Sequence, residues 1–424
     1  MLQVALLRQD PEAVKRKLSI KNFQEISLVD EIIQLDDERK STQARFDEVQ
    51  SKINAASKNI GALMAQGKKQ EADTLKAEIT ALKPTLEPIK ARYTEIEDTL
   101  FNKLVLLPNL PQDEVPAGKS ADDNEIVRQN GETLLPAGGN QPHWDLIQSY
   151  ELVDFETGAK ITGRGFPVYT GQGAKFQRAL IQYFLDFNTE AGYREFIPPF
   201  MVNEASAFAT GQLPDKEGQM YHVTEDNFYL IPTAEVPVTN IYRDVILQQE
   251  ELPLKLTAYS PCFRREAGSF GKDVRGLNRV HQFEKVEIIQ ITHPDKSNEA
   301  FQQMVTHVEK LLQSLELPYR ILRLCGADMS FTSAVTYDFE VFSGAQERWL
   351  EVSSVSNFET YQANRLKCRF KNEAGKTQLV HTLNGSSLAL PRIVAALLEN
   401  NQTPVGIRIP QVLRPYFGKE LITK

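Results

Sequence analysis

Leu256 to Ile291 reads LTAYSPCFRREAGSFGKDVRGLNRVHQFEKVEIIQI. Two runs rich in β-branched and aromatic residues flank a glycine-rich, charged loop, which is the pattern of a long antiparallel hairpin. Side chains alternate faces along a strand, so the spacing predicts that Arg264 and Glu266 project together from the first strand. Arg279, Phe283 and Glu287 are predicted to project together from the second. One face would then carry two arginines, an aromatic ring and two carboxylates. An arginine fork suits phosphate oxygens, a ring suits a purine face, and a carboxylate suits an ammonium or exocyclic amine. The set fits a nucleoside triphosphate beside a small cationic substrate. Taken alone, it equally fits a solvated amphipathic hairpin with cross-strand ion pairs.

The rest of the chain weighs against that second view. Phe263-Arg264-Arg265-Glu266 and Arg275-Gly276-Leu277-Asn278-Arg279-Val280-His281-Gln282-Phe283 resemble motif 2 of the class II aminoacyl-tRNA synthetases, and within that class the seryl-tRNA synthetase family. The resemblance runs from the opening residues to Arg414-Pro415-Tyr416. Upstream, Phe176, Leu180, Tyr183, Phe184 and Phe187 form one helical stripe, followed by Phe196-Ile197-Pro198-Pro199-Phe200-Met201-Val202. That pair resembles motif 1, which implies a homodimer interface at Pro199; apart from the resemblance, it reads as an ordinary core helix. Thr233-Ala234-Glu235 resembles the family's serine-binding segment, with Thr233 and Glu235 expected on one face of a strand end.

Two later segments complete the set. Trp349-Leu350-Glu351-Val352-Ser353-Ser354 resembles the segment whose glutamate and second serine hold the divalent ion that bridges ATP phosphates. This implies Mg2+ on Glu351 and Ser354, hard oxygen donors of the kind that ion takes. Those two residues are three apart, so the strand must end or bulge at Ser353 if both reach one ion. Asn384 to Arg392 resembles motif 3, with Pro391 at the first position of a helix and Arg392 in its first turn, opposite Phe283. Ser387 and Pro391 stand where that motif often has glycine.

The resemblance implies an ATP site of Arg264, Arg265, Glu266, Arg279, Phe283, Glu351, Val352, Ser353, Ser354 and Arg392. Arg264 and Arg392 are its catalytic members. Arg264 would hold the α-phosphate, Arg279 and Arg392 the outer phosphates, and Glu266 the adenosine side. L-Serine would lie among Thr233, Ala234, Glu235, Glu287 and Ser386.

The 424 residues, 41% hydrophobic and 25% charged, are the composition of an ordinary globular protein of more than one domain. Arg8, Asp10 and Pro11 interrupt the start before any signal-type apolar core develops, and no apolar run approaches a membrane span. A cytoplasmic protein without a membrane partner is the expectation. Cys262, Cys325 and Cys368 are widely spaced and form no CxxC, which reads as reduced core thiols. A net charge of −8 argues against coating DNA or other nucleic acid indiscriminately.

Local charge differs. From Leu28, apolar residues recur at Ile32, Leu35, Phe46, Val49, Ile53, Ala56, Ile60 and Leu63 in one heptad frame, interrupted at Arg39 and Thr42. After Gln66 to Lys69 the pattern resumes from Leu75 through Ile79, Leu82, Leu86, Ile89, Tyr93, Ile96 and Leu100. This predicts an antiparallel two-helix coiled-coil arm. Pro84 and Pro88 fall inside the second helix, where a kink or short non-helical break is expected. Lys52, Lys58, Lys68, Lys69 and Lys76 make the outer arm basic, while its base is acidic. A lysine run on a coiled coil is commonly a solvated face; with the family resemblance, these five become candidates for contact with tRNA(Ser).

Pro108 to Pro142, with Pro111, Pro116, Pro136 and Gly138-Gly139, reads as a linker or irregular entry to a second domain. The expected organisation is a helical domain over 1–110 and, over 111–424, an α+β class II catalytic domain with a mostly antiparallel sheet flanked by helices. The implied activity is ATP-dependent ligation of L-serine to tRNA(Ser) through a seryl-adenylate. Two rivals are a related ligase that loads a carrier protein, whose relatives lack the long arm, and an inactive homologue serving as a coiled-coil interaction module.

Overall fold

Heptad-spaced apolar residues produce the first part of the fold. Helices α1 (Leu28–Ala65) and α2 (Lys69–Leu106) pair side by side, with Ile32, Ile53, Ile79 and Ile96 buried along the seam. The computed structural model describes residues 1–133, 139–267 and 275–424; Pro136, Gly138 and the middle of the hairpin loop lie outside them. Arg92 with Glu38 and Lys103 with Glu31, each at 2.6 Å, cross between the helices. Arg39, which interrupts the apolar seam, donates to the buried Asp36 at 2.9 Å.

The expected break at the prolines is absent, for α2 runs unbroken through Pro84 and Pro88. Both prolines are exposed, so the carbonyls they deprive of a partner face water. The intrinsic cost of about 3 kcal/mol per proline is offset by a seam that packs along the other side.

Packing divides the described chain into Met1–Ser19 with Phe23–Pro108, and Ile20–Asn22 with Asn109–Lys424. The return of Ile20–Asn22 to the second unit has no signal in the sequence pattern. Lys21 Nζ donates there to the carbonyls of Ser330 and Ser333 at 2.6 and 2.8 Å.

The second unit is built on eight strands: β1 (Glu125–Asn130), β2 (Arg194–Phe196), β3 (Leu254–Phe263), β4 (Gln282–Thr292), β5 (Tyr319–Arg323), β6 (Val335–Ser343), β7 (Arg348–Glu359) and β8 (His381–Ala389). Their order is β1-β5-β6-β7-β8-β4-β3-β2. Every neighbouring pair is antiparallel except β2 with β3. The expected hairpin is β3 and β4, paired in unbroken register from Phe263 with Gln282 to Leu254 with Ile291. Within Pro108 to Pro142, expected as a linker or irregular entry to the second domain, β1 is a regular strand. All six of its residues are exposed, so main-chain pairing to β5 holds it without any apolar periodicity.

The unit's helices include α3 (His143–Ser149), α4 (Gly171–Glu190), α5 (Glu235–Asn240), α6 (Ser297–Ser314), α7 (Thr360–Leu366) and α8 (Leu390–Asn400). Phe176, Leu180 and Phe184 of α4, Met304 and Val308 of α6, and Ile393 and Leu397 of α8 share one apolar core with Val286, Ile288, Phe339, Val355 and Leu383 of the sheet. Gly385 belongs to this packing, because a Cβ there would lie 2.8 Å from Val355 Cγ2. Burial of those residues on one face leaves the alternate residues of the same strands for the other.

Candidate active site

The other face is polar across four strands. Asp338 of β6 pairs with Ser354 of β7, Ser356 of β7 with Asn384 of β8, and Ser386 of β8 with Glu287 of β4. Phe283 and Lys285 follow Glu287 on the same face of β4 at two-residue steps. Residues expected to handle the amino acid and the nucleotide therefore share one strand.

Thr233 and Glu235 come to this face in a way the sequence reading did not expect. They lie at a helix start rather than a strand end, with Glu235 the first residue of α5. Thr233 Oγ1 donates to Glu287 at 3.3 Å and accepts the Glu235 backbone N–H at 3.2 Å. Lys285 Nζ is paired with Glu287 and donates to Thr233 Oγ1 at 2.8 Å. Glu235 is buried and accepts from Gln362 Nε2 at 2.6 Å. Burial and then the neighbouring Glu287 push its pKa up to about 7, against donors from Gln362 and Asn384 and the charge of Lys285. The result is a buried cluster of hydrogen-bonding groups, with two carboxylates and one resident cation. Ala234, between them, is fully buried in apolar packing.

The phosphate side is assembled beyond the strand ends, which corrects the expectation that Arg264, Glu266 and Arg279 project from the strands. β3 stops at Phe263 and β4 starts at Gln282. Arg264 lies next to the strand end, its guanidinium 5.3 Å from the Phe283 ring centroid. Glu266 turns the chain at φ +49° and its carboxylate meets Arg279 Nε at 2.9 Å. Arg265 is exposed. From the opposite side, Arg392 in the first turn of α8 donates to the carbonyls of Asn278 at 3.0 Å and Glu351 at 2.7 Å.

β7 contains the bulge that Glu351 and Ser354 require, one residue earlier than expected. Phe339 pairs with Ser353 and Glu340 with Glu351, so Val352 is the extra residue. Glu351 and Ser354 thus share the polar face. Val352 turns into the apolar core, and the Ser353 hydroxyl donates to the Ser386 carbonyl at 2.6 Å, so neither side chain faces the polar groove. Asp338 stands beside Ser354, with Oδ1 buried and unpaired. Burial, and then the charge of Glu351, hold its carboxyl well above the usual range.

Two family models match this chain. Residues 1–111 match the family described as the seryl-tRNA synthetase N-terminal domain, and 221–401 the tRNA synthetase class II core domain (G, H, P, S and T). A serine-tRNA ligase of Salinibacter ruber is 49% identical over 420 residues, covering 99% of this chain and 98% of its own. The chain belongs to the seryl-tRNA synthetase family. A serine-tRNA ligase of Delftia acidovorans is 46% identical over 438 residues, with all of both chains covered. The fold is similar to that of the seryl-tRNA synthetase from Pyrococcus horikoshii complexed with ATP, at TM-score 0.92 and 33% identity, over 100% of this chain and 99% of that one.

Two further groups of exposed residues belong to the sequence expectations. On the helical pair, Lys52, Lys58, Lys68, Lys69 and Lys76 are all exposed. Lys52 and Lys76 pair within their own helices with Glu48 and Asp73, at 2.6 and 2.9 Å. In the second unit, exposed Pro199 lies in an apolar stretch where Ile197 is 85% and Met201 50% exposed. Among the described residues, no helix is long and apolar enough to cross a membrane. Sequence reasoning passed over Lys285, Gln362, Asn384 and Asp338 as site residues. Lys285 carried a usable signal, since it lies between Phe283 and Glu287 on the same face.

Proposed function

We infer that this chain joins L-serine to tRNA(Ser) in two ATP-dependent steps, and we propose the residues that carry them. The serine carboxylate attacks the α-phosphorus of ATP, forming a seryl-adenylate and releasing pyrophosphate. A terminal ribose hydroxyl of the tRNA then attacks the mixed anhydride and AMP leaves. Such chemistry is mostly positioning and charge stabilisation.

The proposal assigns the serine ammonium to Glu287, Glu235 and Thr233, and its hydroxyl to the wall containing Ser386. Arg264 meets the α-phosphate, Phe283 the adenine face, and Arg279 and Arg392 the outer phosphates. Glu351 and Ser354, with the unpaired Asp338 Oδ1 beside them, fit a hard divalent cation such as Mg2+, which takes few protein oxygens and keeps waters. Such an ion would neutralise charge on the ATP phosphates.

The observation that supports this reading most directly is the pairing of Glu287 with Ser386, two steps along β4 from Lys285 and four from Phe283. An amino-acid pocket and a purine platform are thereby fixed to one rigid strand. The exposed lysines on paired 38-residue helices favour a polyanion over a carrier protein as the acceptor. The exposed apolar stretch around Pro199 favours a homodimer. A cytoplasmic location accords with the family and the lack of an apolar spanning helix among the described residues.

Pyrophosphate exchange measured with each of the twenty amino acids tests the assignment. Serine alone should support strong exchange. Exchange with a different amino acid in preference to serine, or none with any, would overturn it.

A further inference from the structure

His143, the first residue of α3, is fully buried and bonded at both ring nitrogens. Its Nδ1 lies 2.7 Å from Glu399 Oε1, and its backbone N–H donates to the same oxygen at 2.9 Å. Its Nε2 is 2.9 Å from the backbone nitrogen of Leu277, whose N–H it accepts. An amide N–H can only donate, so Nε2 is the bare nitrogen and the ring proton sits on Nδ1, donated to the carboxylate. Glu399 supports that polarity. Burial opposes its charge, yet donors from His143 and Ser343 hold its pKa below the usual carboxylate value.

The ring therefore acts as a strut between the C-terminal part of α8 and the segment Arg275–Asn278. That segment reaches the other end of α8, where the Asn278 carbonyl accepts Arg392 Nε at 3.0 Å. Asn278 Nδ2 donates to Gln346 Oε1 at 2.9 Å, and Gln346 Nε2 returns to Glu399 Oε1 at 3.1 Å. Gly276 is what lets the backbone approach. It adopts φ +62°, and a Cβ there would lie 2.4 Å from His143 Nε2.

We propose that His143 is a positioning residue for ATP, setting Arg279 and Arg392 against the outer phosphates by holding Leu277 and Asn278 in place. This rests on the reading of those two arginines as phosphate ligands. His143 itself touches neither the phosphates nor serine; its effect passes through the backbone of Leu277 and Asn278.

Two replacements separate the ends of the strut. In His143→Asn the amide nitrogen takes the place of Nδ1 and keeps Glu399 paired, but the acceptor for Leu277 is lost. In His143→Gln the amide oxygen takes the place of Nε2 and keeps that acceptor. Misplacement of a phosphate ligand by a fraction of an ångström to an ångström costs about tenfold to a hundredfold. His143→Asn should therefore raise the ATP KM in serine-dependent pyrophosphate exchange by about tenfold or more, while the serine KM stays within about twofold. His143→Gln should stay near wild type for both substrates. Gly276→Ala, which leaves the ring and Glu399 intact, should reproduce the ATP effect and decides the matter if His143→Asn does not fold. Unchanged ATP saturation in Gly276→Ala, or an equal loss for ATP and serine in it, would overturn the proposal. Arg392→Ala is the control: wild-type exchange there would defeat the phosphate assignment itself, whereas loss there beside a normal Gly276→Ala would defeat only the strut.

Discussion

Lys285 Nζ stands 2.8 Å from the Thr233 hydroxyl, inside the pocket proposed for the substrate's ammonium. The protein thus supplies one cation for two carboxylates, Glu287 and Glu235. With the pKa of Glu235 raised to about 7, the missing second positive charge is partly replaced by a proton.

Serine binding should therefore release a proton. A bound ammonium favours ionised Glu235, so the serine KM should fall as pH rises through about 7. Glu235→Gln should bind serine more weakly and lose that slope. Stability should run the other way without serine. A carboxyl near 7 in the folded chain and about 4.3 when unfolded keeps its proton preferentially in the native state between those values, so stability falls as pH rises across that window. The serine KM and the unfolding temperature, each followed from acid to mildly alkaline pH, check both slopes.

Glu287→Ala should damage both serine use and folding. It leaves Lys285 buried without its carboxylate, a loss of about 3 to 5 kcal/mol when one partner of a buried pair is removed. Adding Lys285→Met should recover much of the stability without restoring serine saturation. Denaturant unfolding and exchange kinetics on the two single variants and the double variant separate the effects. An altered ATP KM with normal serine saturation in Glu287→Ala would mean that the pocket has been assigned to the wrong residues.

Arg264→Ala and Arg392→Ala should each lower pyrophosphate exchange by about a hundredfold to a thousandfold, as loss of one preorganised donor to developing charge does. Neither guanidinium is fully buried, so thermal unfolding should change little. Exchange at the wild-type rate in either variant would remove that residue from the mechanism.

Removing residues 28–100, the greater part of the helical pair, should leave exchange largely intact and abolish tRNA charging. Lys68→Ala with Lys69→Ala in the full chain should flatten the salt dependence of tRNA binding, because each phosphate contact releases counterions. Equal charging by the truncated and full chains would exclude this role.

Periodic features were the most legible. Heptads located α1 and α2, and alternation located the β3–β4 hairpin with Phe283 and Glu287 on one face. The misreadings occur where a period was carried past its physical end. Alternation puts Arg264 and Glu266 on the strand, yet the strand stops at Phe263 and the chain turns at Glu266. The sequence places Thr233 and Glu235 on a strand end, yet Glu235 begins a six-residue helix too short to show a helical period. Intrinsic propensity predicts a break at Pro84 and Pro88, and seam packing overrides it. Glu399 and Asp338 were hidden for another reason. Their partners are close only through sheet register and helix packing, information that no local window contains.

The bulge at Val352 makes register, more than residue identity, the guarded quantity in the β6–β7 hairpin. Residues 344–347 at its tip lie outside the paired strands, where added or lost residues need not disturb the register. With Val352 paired opposite Glu340 instead, perfect alternation would rotate Glu351 toward the apolar core and bring Leu350 into water. Ordinary pleating would here be the defect. The hairpin should therefore accept many substitutions at position 352 that keep it apolar, and deletion of that residue should leave Glu351 on the polar face.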